Sequence, residues 1–160
     1  MIFKMYVNGG IYPGVRFITD GTTETNDLDL SGYNMTNVNI NYANLVGFKA
    51  PSEVSNKCVD INVAHNYITN LDLSSCRGTC QTLVANNNKL MEIDLSGQEK
   101  IAGTLDLANN YLTALDISDC TTMSTVKADG NYISSDNFTK GDLTGKSISN
   151  QQEASVNGFT

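Results

Sequence analysis

Between residues 61 and 138 the apolar positions fall into one repeated arrangement. The segments INVAHNYITNLDLS (61–74), LVANNNKLMEIDLS (83–96), LDLANNYLTALDIS (105–118) and VKADGNYISSDNF (126–138) align without gaps at their start. Each reads apolar-x-apolar-x-x-Asn-x-(Ile/Leu), and the first three continue x-x-(Leu/Ile)-Asp-(Leu/Ile)-Ser. The invariant asparagines are Asn66, Asn88, Asn110 and Asn131, spaced by 22, 22 and 21 residues. A fixed period of this size is the mark of a solenoid, in which each repeat is one coil stacked on the last.

Within a coil the spacing predicts two short strands. Apolar residues at period two, such as Leu83 and Ala85 or Leu105 and Leu107, point inward from the first strand. Ile68, Leu90, Leu112 and Ile133 then turn the corner inward. The pairs Leu71/Leu73, Ile93/Leu95 and Leu115/Ile117 face inward from the second strand. Neighbouring coils are expected at ~4.8 Å, the strand spacing of a sheet. The Asn column belongs where the chain leaves the first strand and its backbone groups lose their sheet partners. A buried amide side chain offers two donors and an acceptor to those groups, so Asn66, Asn88, Asn110 and Asn131 form a structural ladder.

Upstream, residues 28–50 divide into fives: LDLSG, YNMTN, VNINY, ANLVG, FKAPS. Leu30, Met35, Ile40, Leu45 and Ala50 recur at this interval, four of them preceded by Asp29, Asn34, Asn39 and Asn44. The same stretch also fits one shortened coil of the longer repeat, with Val38, Ile40, Leu45, Phe48 and Ala50 inward. Residues 1–27 read as β: the alternating runs IFKMYV and GVRFIT are joined around Asn8-Gly9-Gly10 and Pro13-Gly14, both turn signals. The predicted organisation is a hairpin cap over 1–27, covering Leu28, Leu30 and Val38, a solenoid of about five coils over 28–138, and a cap or polar tail over 139–160.

The run NYLTALDISDCTTMSTVKADGNYI resembles the 21–22-residue leucine-rich repeats of bacterial surface proteins, above all the internalin J-like group. The resemblance covers roughly residues 58–138. It implies a right-handed, β-rich solenoid of short parallel strands with little helix, and favours a secreted or cell-surface protein that binds a partner. Two departures stand out. The N-terminal cap reads as β where that group carries helix, and Val63, Ala85, Leu107 and Ala128 stand where it often places Cys. The fives of residues 28–50 are similar to pentapeptide repeats, which form square β-coils; both readings give a solenoid.

Charge narrows the partners. Among 160 residues the formal net charge is -7, with 10 Lys and Arg against 17 Asp and Glu. Nucleic acid and anionic membrane call for the opposite surplus. No apolar run reaches the roughly 18 residues of a membrane span, and MIFKMYVNGG lacks the apolar core of a signal peptide.

The candidate chemistry is sparse. Cys58 and Cys80 share one register and are expected beside each other in consecutive coils, as a core thiol pair or a disulfide. Cys76 and Cys120 share another register but stand two coils apart, with Gln98 between. The CRGTC spacing is no metal knuckle and has no His-Cys cluster beside it. Asp29, Asp72, Asp94 and Asp116 form an outward column that the following Ser and nearby N–H groups can hold, a role we weigh above calcium bridging. His65, the single histidine, falls in a turn column with Asn87, Asn109 and Gly130, and no motif supplies it a nucleophile. GDLTGKS (141–147) is close to a phosphate-binding loop, but Lys140 stands where the first Gly is required.

What remains is a surface. The outward strand columns read Asp60, Thr82, Thr104, Thr125; Asn62, Val84, Asp106, Lys127; and Ala64, Asn86, Ala108, Asp129. Beyond them runs a rim of Tyr67, Lys89, Tyr111 and Tyr132. Tyrosine suits an interface through its rigid apolar body and polar tip. The sequence therefore predicts a non-enzymatic module, without cofactor or metal, that recognises a protein or glycan through a concave strand face and this rim. The alternative is a structural or assembly protein, a surface or virion-type component, that associates with its own copies through the solenoid ends.

Overall fold

The computed structural model describes residues 3–7, 10–15, 27–52, 59–77 and 80–143. It is a parallel-strand β-solenoid of about five coils with almost no helix. Short strands along the coils build two faces. The first face is a continuous parallel sheet of five strands: β4 (Asn37–Asn39), β6 (Val59–Asn62), β8 (Cys80–Val84), β9 (Thr104–Asp106) and β11 (Thr125–Lys127). The second face carries β3 (Asp27–Asp29), β5 (Gly47–Lys49) and β7 (Asn70–Asp72) in one sheet, and β10 (Leu115–Asp116) beside β12 (Phe138–Thr139) in another.

The registers match the repeat. Ile61 lies beside Leu83 and Leu83 beside Leu105. Between the faces the inward residues make one core: Leu45, Ile61, Ile68, Leu83, Leu90, Leu105, Leu112 and Ile117 are all fully buried. One coil alone cannot cover such an apolar edge, so the stack itself is the source of stability.

Residues 27–50 form a shortened coil, in which Leu28 lies beside Phe48 after 20 residues. The inward sets of both readings of this stretch merge in it. Leu30, Met35, Val38, Leu45, Phe48 and Ala50 are buried, and Ile40 is partly buried against the same core.

Three expectations need correction. The hairpin is present, but its strands are β1 (Phe3–Val7) and β2 (Gly10–Val15), antiparallel. Pro13 thus lies within β2, opposite Lys4 next to a register shift, instead of making a turn. A two-stranded ribbon has open edges, where a residue without N–H is tolerated. Residues 16–26, the contact of the hairpin with Leu28, Leu30 and Val38, and the tail from 144 onward lie outside the described residues.

The second correction concerns the second face. It is continuous through β7 and resumes at β10, but residues 91–95 form no ladder with either neighbouring coil. Side chains replace the missing backbone bonds. Arg77 reaches from the preceding coil to Asp94 at 2.5 Å and to Ser96, and Gly97 N donates to Asp119 Oδ2 of the next coil at 2.7 Å.

The third is the cysteine register. A shift between Val59 and Asp60 places Val59, and not Cys58, beside Cys80. One coil further on, Ile101 is buried while Ala102 is exposed, so the inward position there is Ile101. Cys58 itself lies outside the described residues. Repeat counting misses such a shift because one extra residue in a bulge leaves the later spacing intact.

Candidate functional site

The asparagine row is the frame on which the candidate surface hangs. All four ladder residues are buried. Asn88 Nδ2 donates to Ala85 O of its own coil at 3.0 Å and to Val63 O of the preceding coil at 3.1 Å, and Asn88 Oδ1 accepts from Ile68 N at 3.0 Å. Asn110 repeats this with Leu107 O, Ala85 O and Leu90 N. Asn131 does so with Ala128 O, Leu107 O and Leu112 N. Each amide staples its own turn to the coil before it. Asn66 closes the lower end: its Oδ1 accepts from both Ala43 N and Leu45 N, because Ala43 stands where the first coil would carry an Asn.

One residue before each Asn, and before Ala43 in the first coil, the chain takes left-handed backbone. Tyr42, His65, Asn87, Asn109 and Gly130 have φ of 54°, 55°, 54°, 55° and 71°. This conformation costs most side chains energy and is best tolerated by Gly, Asn and His. The ladder Asn that follows each kink turns inward, and the residue after it lies on the outer side, which is why Tyr67, Lys89, Tyr111 and Tyr132 form a row.

Within that row and the turn column beside it the side chains meet in pairs. Lys89 Nζ lies 5.0 Å from the centre of the Tyr67 ring, a cation–π contact. Tyr111 and Tyr132 stack at 6.3 Å. Tyr42 and His65 stack at 4.4 Å with their planes 8° apart. Tyr42 was legible in principle, since it occupies His65's turn register one coil earlier. His65, read from sequence as a turn residue, is exposed in that turn and rests on Tyr42. Tyr42, Tyr67 and Tyr111 are 73%, 51% and 48% exposed, far beyond what their size demands of a sealed corner.

The strand columns beside the rim also hold their register. Asn62 lies beside Val84, Val84 beside Asp106, and Asp106 beside Lys127. Asn62, Val84 and Lys127 are partly or fully exposed. Asp106 is the departure: it was expected on the open face, and it is buried. Its carboxylate accepts from Asn86 Nδ2 at 3.1 Å and Ala108 N at 3.2 Å and pairs with Lys127 Nζ at 3.6 Å. Small neighbours let the longer side chains fold over it, so it braces the face and does not present itself to a ligand.

The acidic column behaves as the sequence suggests. Ser31, Ser74, Ser96 and Ser118 each donate a backbone N–H to the Asp two residues earlier, at 2.8–2.9 Å. These Ser hydrogen bonds are the main cause that holds Asp29, Asp72 and Asp116 below the ordinary carboxylate value. Asp94 falls to about 2 because Ser96 and then Arg77 donate to it. A shallow groove of about 350 Å³ opens on the second face beside Asp27, Gly47, Lys49 and Asp72. A Cβ at Gly47 would collide with the Asp27 carboxylate, so the groove is where that side chain folds in. Among the described residues no group of three or more His, Cys, Asp or Glu is placed to hold a metal ion. No helix among them is long and apolar enough to cross a membrane. Residues 144–147 of GDLTGKS lie outside the description.

The fold and the rim together define a β-solenoid with a stacked aromatic corner. Comparison with family models, with curated proteins and with solved structures finds no match.

Proposed function

We propose that the chain is a non-enzymatic binding module that recognises a protein or glycan through the first sheet face and its Tyr rim. The observation that carries this reading is the row of exposed rings along successive coils, held in pairs: Tyr42 on His65, Lys89 on Tyr67, Tyr111 on Tyr132. Holding side chains in place before contact lowers the ordering cost of binding. Their polar tips supply directional bonds while the ring edges supply apolar area. Asn62, Val84 and Lys127 extend the surface onto the sheet. We carry the resemblance to bacterial leucine-rich repeats into this proposal, and with it a secreted or cell-surface setting and a partner that is neither nucleic acid nor membrane interior.

The test is a binding screen on printed glycans and on arrayed folded proteins, run with the wild type and with a Tyr67→Ala/Tyr111→Ala/Tyr132→Ala variant. Both should keep the same circular dichroism, because these side chains lie outside the core. The wild type is expected to give hits that the variant loses. Hits retained by the variant exclude this face, and a wild type without hits overturns the reading.

A second reading rests on the edges. Among the described residues β11 and β12 are the C-terminal outer strands of their sheets, and an outer strand is a template for pairing with another chain. Under this reading the protein is an assembly component that joins copies end to end. Light scattering that shows a strict monomer over a wide concentration range would exclude it.

A further inference from the structure

The rings of the rim and of the turn column beside it are not equally free. Tyr42 is 73% exposed although one face rests on His65, so its opposite face is open to solvent. Tyr111, stacked with Tyr132, is 48% exposed. Tyr67 differs, because a cation already stands on its ring: Lys89 Nζ lies 5.0 Å from the centroid. Lys89 is exposed and makes no ion pair with a carboxylate among the described residues. What holds it on Tyr67 is the negative face of the aromatic ring, which draws a cation.

The surrounding charge has the same sense. The chain carries a formal net charge of -7. Asp60 and Asp129 are partly exposed on the sheet face beside the rim, and neither pairs with a cation among the described residues. Lys127 is taken up by Asp106. Open ring faces that attract cations therefore stand in a field that attracts cations.

Resting on the binding reading above, we propose that the partner is a protein segment rich in arginine or lysine, whose cationic side chains stack on Tyr42 and Tyr111 as Lys89 stacks on Tyr67. Lys89 is then an occupant of one of the partner's places and no contact for it. A neutral glycan would gain ring area but nothing from the charge, and an acidic one would meet a field of its own sign. Arginine fits better than lysine, since its planar guanidinium lies flat on a ring and is less strongly hydrated. The net charge speeds the encounter, and the rings fix where the segment lies. Tyr42 and Tyr111 stand three coils apart. At ~4.8 Å per coil this is ~14 Å along the axis, the reach of about four residues of extended chain. Residues i and i+4 of such a chain project to the same side.

The test is fluorescence anisotropy of the folded full chain with an alternating Arg-Gly peptide and with its citrulline-Gly twin, which keeps the planar shape and lacks the charge. The Arg peptide is expected to bind and the twin to bind far more weakly. Tyr42→Leu/Tyr111→Leu leaves the net charge unchanged and should weaken the Arg peptide about tenfold, the worth of two exposed cation–π contacts. Lys89→Met should tighten it by freeing Tyr67. Lys100→Met, which removes the same charge from an exposed site at the opposite corner, should tighten it less. No binding of the Arg peptide, equal binding of the twins, an unchanged affinity in Tyr42→Leu/Tyr111→Leu, or a Lys89→Met variant no tighter than Lys100→Met would each overturn the proposal. The binding reading is decided apart from this, by the screen on glycans and proteins. A rim that captures a glycan there, loses it in the triple Tyr variant and ignores arginine keeps that reading and ends this one.

Discussion

The two corners of each coil solve one problem in different ways. At both, the chain leaves a strand and backbone groups lose their ladder partners, which is costly inside a core. At the first corner each of four coils spends an Asn on the problem, and every one of those amides bonds through both Nδ2 and Oδ1. At the second corner the same register holds Cys76, Gln98 and Cys120, two thiols and a single amide. Gln98 is buried, yet its Oε1 has no hydrogen-bond partner. The sheets beside the corners differ in step with this. The first runs unbroken through β4, β6, β8, β9 and β11, while the second breaks at residues 91–95, in Gln98's own coil. A polar group repeated in every coil becomes a ladder; a polar group used once has nothing above it to bond.

The largest effect expected from breaking this contrast is at the ladder. Asn88→Ala strands the Ile68 N–H and leaves Val63 O and Ala85 O with only the bonds from Asn66 and Asn110; Asn110→Ala strands the Leu90 N–H and leaves Ala85 O and Leu107 O with only those from Asn88 and Asn131. Each should cost about 1–3 kcal/mol, the usual penalty of buried groups left unsatisfied. Thermal melts of the single mutants check it, and melts unchanged in both would show that the row is decorative. Next comes the kink that the ladder depends on. Gly130→Ala should cost about 1–2 kcal/mol, because φ is 71° there and the new Cβ would press on the Asn109 side chain. Gly130→Asn restores the residue type used at Asn87 and Asn109. It should lose less in urea denaturation than Gly130→Ala, and an equal loss would remove the backbone explanation.

At the second corner the sign reverses. Gln98→Met removes a buried acceptor that nothing satisfies and keeps nearly the same volume. Leu73 O keeps its bond from Cys76 N at 3.1 Å when the Gln98 amide is gone. The variant should therefore melt at the same temperature or higher, by up to ~1 kcal/mol. The same exchange at Asn88 should be strongly destabilising. A clear loss of stability in Gln98→Met would mean that the two corners are equivalent after all.

How legible the molecule was in its sequence tracks the same contrast. The coils, the inward residues, the Asn row, the Asp–Ser column and the rim Tyr67, Lys89, Tyr111 and Tyr132 repeat with the period, so counting places them. What counting missed occurs once. The register shift between Val59 and Asp60 puts Val59 beside Cys80, and Asp106 is buried because Asn86 and Lys127 happen to reach it. The break at 91–95 coincides with Arg77, which no other coil matches at that place. Tyr42 was hidden because the first coil puts Ala43 where the others have Asn, which disguises the register. Periodic features are read from spacing, whereas single contacts depend on side-chain reach, which spacing does not encode.

The smallest effect belongs to the clamp that bridges the break. Asp94 has the strongest of the Ser-held carboxylate sites, since Arg77 donates to it at 2.5 Å in addition to Ser96. Its folded value of about 2 lies below the ordinary aspartate value of 3.8. The charged form is thus favoured by folding: the contribution is fully present above 3.8 and is lost as pH falls through about 2. The group is well exposed, so solvent screens the pair, and Asp94→Asn should cost only a few tenths of a kcal/mol at neutral pH. The shape of the difference is more telling than its size. Urea denaturation of wild type and Asp94→Asn should show a gap that is constant from pH 7 down to about 4 and then closes toward pH 2. Arg77→Met should narrow the gap by removing the interaction from the cationic side, and high salt should do the same. If the gap instead persisted at pH 2, uncharged contacts around Ser96 would be holding the two coils together, and the ion pair would be incidental to the bridge.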